Sequence, residues 1–573
     1  MSLPNYLLLL GCFVCTVFGF GLPLALRLTE DALEQVTAAA MIGLVVSFVL
    51  AFGIYAAGLS WWWFALAPVA GLIGLISQGA AIRNIWSNPN ARQSLIGWLI
   101  VAAWTQALTA MIRSYSGGAW GDWLEHHQRA LFFHEHWRLD FNFIGDYLLT
   151  ARPPLANVVT AGFEAITQNV LACGQAVLAL WSSLAVFPLA LFCRRFGGGA
   201  ERLPVLALLL MLNPSFTQNS TFAWTKLPAA FFVLVGAHFL LSSLDRPDRR
   251  ALFALAAAAL AAALLTHYSA GPYCIVLAGW WILWRLHEKA FRSLAMEMLT
   301  GLLVVTPLLG LWFSWAWIHY GAAGTFLSNS TATDSDAHGL GAQLGRIAAN
   351  LWDTLVPHPL RSVNYALIRQ PTRIGWFRDY FFMINQVNLP AMLGTGGLVA
   401  LACSFFKKGP VIAGYQTSLR PAWVISALVL TIILGVAVVG SRDEWGLAHI
   451  CLQPVSLLGL ACLAARIDLI GRIGGVILGL GLAWDAVVNI GLHYTLQSRD
   501  PDPAWLALHN PMQALIQYGS VALSASLKDV TGVRFLRDGL PGLAIPVAAL
   551  LIVLVAAAIW LRCTTRGPQP RRT

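Results

Sequence analysis

Gly121-Asp122-Trp123-Leu124-Glu125-His126-His127-Gln128-Arg129, carried on by Thr150-Ala151-Arg152-Pro153-Pro154-Leu155, is a polar island in a chain that is apolar on either side of it. Residues 113–153 hold carboxylates, histidines and arginines between two hydrophobic runs. Ionisable groups are expensive in a membrane, so a membrane chain that gathers them at one place uses them there. The reading of this island decides both the fold class and the function.

Outward from it, the composition is that of a membrane protein. Of 573 residues, 58% are hydrophobic and 11% charged, against about 25% charged in a soluble domain. Runs of roughly 20 apolar residues recur, each long enough to cross a bilayer. They are continuous and do not alternate with period two, which excludes a β-barrel. The expected fold is an all-α polytopic membrane protein with a mixed outer domain.

The net charge is +10, and it follows the positive-inside rule. No basic stripe or aromatic-basic module is present, so nucleic acid is excluded as a partner. The nine cysteines lie in apolar spans or at their ends and form no disulfide framework. Cys12 and Cys15 have redox spacing but sit inside an apolar helix, and they read as core. The start lacks a basic leader and is followed by a second apolar run, so residues 6–26 read as the first membrane helix.

Apolar spans are expected at 6–27, 36–57, 60–81 and 95–112. After the island, 154–169 reads as an amphipathic helix lying at the membrane surface. Further spans follow at 171–193, 203–216, 224–243, 251–267, 270–286 and 296–318, then 388–406, 421–440, 447–465, 473–492 and 543–562. That makes about fifteen. The long stretches 319–387 and 493–540 contain no span and are expected to fold. With the basic tail inside, every short basic link falls on one side: Arg83 and Arg92, Arg194 and Arg195, Arg246 and Arg249, Arg285 and Lys289, Lys407 and Lys408, Arg466 and Arg472. The polar stretches 113–153, 319–387 and 493–540 all fall on the other. The expected domains are accessory helices 1–94, a seven-span core 95–318, an outer loop domain 319–387, and C-terminal helices 388–573.

Within the island, Asp122 and Glu125 are three apart and share a face if helical. Either can act as a general base once aimed at a hydroxyl. His126, His127, His134 and His136 stand near carboxylates and could contribute to a divalent metal site (Mg, Mn or Zn), with His126, His127 and Asp146 as candidate ligands. No standard zinc signature is present. Arg152 is held by the two prolines after it, and its planar donors suit a lipid phosphate. Lys226, His267, Tyr268 and His449 lie at span ends on the same side, and outline a positively biased cavity for a phosphate headgroup. Asn219 and Asn329 begin glycosylation sequons.

The order of these features resembles the GT-C superfamily of membrane glycosyltransferases, of the protein-mannosyltransferase and aminoarabinose-transferase type. The matching elements are span 95–112, Asp122 in the following loop, Arg152-Pro153-Pro154-Leu155, and the span ending at Arg194-Arg195-Phe196-Gly197. Together they cover roughly 95–390, and His449 to Pro454 resembles a later family element. The resemblance implies an acidic residue at 122 that activates the acceptor, and an arginine at 152 that contacts the lipid phosphate. The chain departs from the pattern in three places. Three extra spans precede the core. The frequent Asp-Glu pair is here Asp122-Trp123. The next outer loop, Asn213 to Thr221, carries no acid, although Asp140 or Asp146 could substitute.

The expected activity is an inverting transfer of a sugar from a polyprenyl-phosphate donor to a lipid, glycan or protein acceptor. The expected location is a bacterial inner membrane, with the site facing the periplasm, and the expected partners are the donor, an acceptor and membrane lipid. A transporter or flippase of lipid-linked sugars is the alternative from another class. It should show broken helices and charges within the membrane. A polysaccharide polymerase or ligase is a third reading, and would centre on Arg361, Arg369 and Arg373.

Overall fold

The computed structural model describes residues 3–497, apart from 113–121, 144–146, 168–169, 247–248, 330–336, 362–379, 381–383, 407–420, 443–451 and 494–496. Asp146 and His449 therefore lie outside the described residues, as do Arg369, Arg373 and the span expected at 543–562. The described residues are helical, with a single isolated β-bridge between Phe143 and Tyr147.

Sixteen helices lead through the core. They are α1 (Leu3–Val14), α2 (Leu22–Leu28), α3 (Ala32–Ala56), α4 (Leu66–Ser77), α5 (Gly79–Ser87), α6 (Pro89–Thr109), α7 (Asp122–Glu135) and α8 (Leu155–Thr167). Then follow α9 (Val170–Ser183), α10 (Val186–Arg195), α11 (Leu203–Leu212), α12 (Pro214–Thr221), α13 (Lys226–Asp245), α14 (Arg250–Thr266), α15 (Gly271–His287) and α16 (Phe291–Phe326). Further helices span Leu340–Leu355, Gly397–Phe406, Pro421–Ala437, Gln453–Ala465 and Gly471–Gly491.

Six of these runs are long and apolar enough to cross a membrane, or seven if one bent pair counts as a single span. Shorter apolar helices, including α14 and Gln453–Ala465, supplement them. The chain is an all-α polytopic membrane protein. Two of the six runs differ sharply in burial: Ala172–Arg195 is wholly enclosed by protein, whereas only 6% of the apolar window of Phe291–Phe326 is. The first is therefore central and the second lies at the rim, with Leu302, Leu303 and Ile318 exposed as a lipid-facing surface requires.

Three expectations are corrected. The span at 60–81 is bent by 71° between Ser77 and Gly79. The 154–169 segment does not lie at a membrane surface: every residue of α8 from Leu155 to Glu164 is buried, because α3, α7 and α9 pack around it. The span at 203–216 stops at Leu212. Pro214 has no N–H to donate to a continuing helix, and the Asn213 side chain accepts the Phe216 N–H at 2.8 Å to start α12 anew. All eight residues of α12 are buried although most are polar. Thr217 donates to Asn489 at 2.7 Å, Thr221 pairs with His493 at 2.9 Å, and Asn219 is held by Ser215, Gln386 and Gln453. A fully buried Asn219 is not a glycosylation acceptor.

Candidate functional site

Of the described island residues, Asp122–Glu135 form α7, and Leu149–Ala151 form a 3-10 turn ahead of α8. Asp122 and Glu125 fall in the first turn of α7 and His134 in the last, the distribution that complements a helix dipole. Glu125 and Arg129 are one turn apart and pair at 2.7 Å, which adds support inside the helix. Ala130, Leu131, Phe132 and Phe133 bury the helix against its neighbours. The helix ends where His136 turns to φ 50° and stacks on Tyr55 of α3, with ring centres 5.1 Å apart.

Arg129 is the pivot of the return. It is fully buried, receives Glu125 on one side, and donates to the carbonyls of Leu148 and Leu149. Its guanidinium lies 4.3 Å from the Phe143 ring centre. This locks the short 3-10 turn Leu149–Ala151, which Arg152 closes. Pro153 and Pro154 then fix the backbone, and the Pro154 carbonyl accepts the Val158 N–H at 2.9 Å to begin α8.

Arg152 is thus placed by both neighbours. Its Nε faces the second carboxylate oxygen of Glu125 at 3.4 Å, and its guanidinium lies 5.1 Å from the Tyr147 ring centre. Glu125, 3% exposed, is bound between two guanidiniums. Burial alone would raise its pKa, but Arg129 and Arg152 outweigh that and hold it below the usual carboxylate value. The two guanidiniums thus favour the anionic form of Glu125, which in turn positions them. Asp122 is half-buried at the head of α7. Its charge is felt by Arg152, whose pKa it raises together with Glu125 against the effect of burial, and by His126.

Burial pushes both His126 and His127 down to about 4, in His126 against the pull of Glu125 and Asp122. The His126 Nδ1 lies 3.1 Å from the Asn157 Oδ1, and its Nε2 lies 3.4 Å from the Thr225 hydroxyl. Both ring nitrogens are therefore engaged within the protein. Among the described residues, no group of three or more histidines, cysteines or carboxylates comes together. Asp146, the third candidate ligand, lies outside the described residues.

Tyr268 reaches the same place. Its hydroxyl donates to the Thr150 carbonyl at 3.2 Å and accepts from Trp312 at 3.3 Å. Burial pushes its pKa up to about 12, so it stays a neutral donor. His267, next to it, instead caps its own turn by accepting the Ser269 N–H at 3.2 Å. Lys226 is buried with its ammonium 3.8 Å from the Trp224 ring centre. It follows Thr225, which touches His126. Asp122, Glu125, Arg152, Tyr268 and the turn bearing Lys226 are thus brought around one helix end.

Sequence reading left Arg129 and Asn157 without a role. Arg129 had a signal in its spacing from Glu125. Asn157 had none, because its partner stands 31 residues away.

No protein-family profile matches the chain, and no curated protein matches it. Among solved structures, the chain is similar to ArnT from Cupriavidus metallidurans bound to undecaprenyl phosphate, at 15% sequence identity. The likeness covers 81% of this chain and 75% of that one, with a TM-score of 0.43.

Proposed function

We propose that the protein is a membrane glycosyltransferase of the GT-C type, which moves one sugar from a polyprenyl-phosphate carrier to an acceptor hydroxyl. The observation that carries this reading is Arg152. Its Nε faces Glu125 at 3.4 Å, and a guanidinium anchored through Nε can turn its planar terminal amino groups to an anion. A guanidinium anchored on one edge and open on the other is suited to bidentate phosphate binding. Its 17% exposure keeps it reachable while the surrounding burial strengthens the contact.

In the reaction, the acceptor O–H gives its proton to Asp122 as the oxygen bonds to the anomeric carbon. The bond from that carbon to the phosphate oxygen breaks, and the electron pair leaves with the phosphate. Arg152 stabilises the charge that collects there. Direct displacement inverts the anomeric centre. Glu125 and Arg129 hold Arg152 in place, and Tyr268 and Lys226 add donors at the same helix end. By the positive-inside pattern, this end faces the periplasm of a bacterial inner membrane.

The test is transfer from a polyprenyl-phosphate sugar by the purified protein in lipid. Asp122→Asn removes the proton acceptor and keeps the shape. Transfer should fall while polyprenyl-phosphate binding and thermal stability stay at the wild-type level. Undiminished transfer in that variant overturns the assignment. Arg152→Ala should instead weaken binding of the carrier phosphate.

A transporter of lipid-linked sugars has an observation of its own. The α11–α12 helix is broken at Asn213 and Pro214, and Asp485 is buried within the candidate span Gly471–Gly491. Broken helices and intramembrane carboxylates accompany transport. However, Asp485 is already bound by the Thr395 N–H at 2.9 Å. Asp485→Asn should leave transfer intact. If it abolishes lipid-linked sugar flipping while Asp122→Asn leaves both activities unchanged, the transporter reading replaces the enzyme.

A further inference from the structure

Helix α8 carries an acid that the proposed chemistry does not use. Glu164 is fully buried, and neither carboxylate oxygen has a hydrogen-bond partner. Buried polar groups are almost always paired, so this one requires an explanation. It faces a small cavity between α7, α8, α9 and the α12–α13 turn, shared with His127, Asn157, Thr160 and Gln175. The cavity has room for about one water molecule. The space exists because residue 174 is glycine: a Cβ there would stand 3.1 Å from the Glu164 Oε1.

Among the described residues, no lysine or arginine lines the cavity. The titratable groups near Glu164 are His126 and His127 from α7, Glu135 at the far end of that helix, and Cys173 from α9. Burial keeps both histidines neutral, and the Glu135 charge opposes a second anion nearby. A bare carboxylate in such surroundings is strongly unfavourable, and a buried acid escapes by keeping its proton.

We infer that Glu164 is a neutral carboxylic acid in the working protein, that it donates its proton into this cavity, and that this uncharged joint seats α7 against α8. Glu164 is then a positioning residue. Asp122 stands at the head of the helix that it holds. Ionisation of Glu164 puts an unpaired anion between the two helices and loosens them. The sign follows: an acid whose folded-state pKa lies above its unfolded value weakens the fold as pH rises above the unfolded value. Stability therefore declines from the unfolded value, about 4.3, upward, and transfer declines where the folded acid finally ionises, above the neutral pH at which the proposal keeps it protonated.

Infrared difference spectra of the full-length protein in nanodiscs, wild type against Glu164→Gln, test this without reference to activity. The expected result is a protonated-carboxyl C=O band at neutral pH that is missing from Glu164→Gln. Identical spectra in that region overturn the inference. A second arm rests on the proposed function and uses transfer rates from pH 6 to 9. Glu164→Gln imitates the neutral acid. It should keep transfer within about twofold of wild type at pH 7 and lose the alkaline decline. A drop beyond about tenfold in a folded Glu164→Gln protein shows that the carboxylate itself is needed, which also overturns the inference. If Asp122→Asn retains transfer, the glycosyltransferase reading fails, and the infrared result still decides the state of Glu164.

Discussion

Helix α3 stands between two buried charge clusters, and the contrast between them separates a brace from a site. At its N-terminal end, Glu34 is surrounded. One oxygen faces His238 at 3.1 Å and Arg246 at 2.7 Å, and the other accepts from Thr29. Arg195 donates to Asp245 at 3.0 Å, Ser242 at 2.6 Å and His238 at 3.2 Å. Each charge meets an opposite charge, and the cluster ties α3 to α10 and α13. About 31 Å away, at 1.5 Å per residue, the other end of α3 meets α7 through Tyr55. There Glu125 is saturated by two arginines, but Arg152 keeps part of its guanidinium exposed, and Asp122 is half-buried. A closed cluster holds helices together. An open one has donors left for something that comes from outside.

The widest gap between the two should appear in activity. Asp122→Asn is expected to lower transfer by about 10²–10⁴-fold, the range for loss of a general base. Glu34→Gln should leave transfer per folded molecule unchanged, as measured in the same assay. Stability should reverse the ranking. Glu125→Gln strands the buried Arg129 guanidinium and unpairs Arg152, and is expected to cost about 3–5 kcal/mol, read as a lowered thermal midpoint. Glu34→Gln should cost toward the lower end of that range, because Arg246 is 35% exposed and can turn to water. If Glu34→Gln silences transfer in a folded protein, the distinction between brace and site is wrong.

A pH titration sharpens the same point. The Glu125 pKa is lowered in the folded protein, so its contribution is complete above the unfolded value, about 4.3, and is lost as pH falls through the folded value. Thermal midpoints between pH 6 and pH 3 should fall for wild type more steeply than for Glu125→Gln. The smallest effect is expected at Arg138 and Asp140. They pair at 2.7 Å with 86% and 68% exposure, and exposed pairs are screened by water and salt. Arg138→Ala should leave the thermal midpoint and transfer unaltered.

Much of this contrast was visible in the linear chain. The apolar runs place α3, α13 and α16 close to where they stand, because hydrophobic length is a local property. Asp122 and Glu125 share a helix face, as their spacing predicts. The roles of the two acids were not legible. Glu125 becomes a fixed counter-ion only because Arg152, 27 positions later, returns to it, and that return depends on Arg129 gripping the Leu148 and Leu149 carbonyls. Helix α8 was misread for a related reason. Its mixed composition suggests a water-facing side, but its polar residues face α7 and the cavity around Glu164.

Composition and hydropathy alone determined that this chain is a helical membrane protein whose polar stretches interrupt its apolar runs, since the cost of burying charge in lipid acts on every residue wherever the chain turns next. The tertiary structure decided which island residue is open and which is closed, and why a helix as polar as α12 is buried. Those outcomes depend on partners hundreds of positions apart, such as Thr217 with Asn489, and whether a buried polar group finds a partner is settled only when the helices come together.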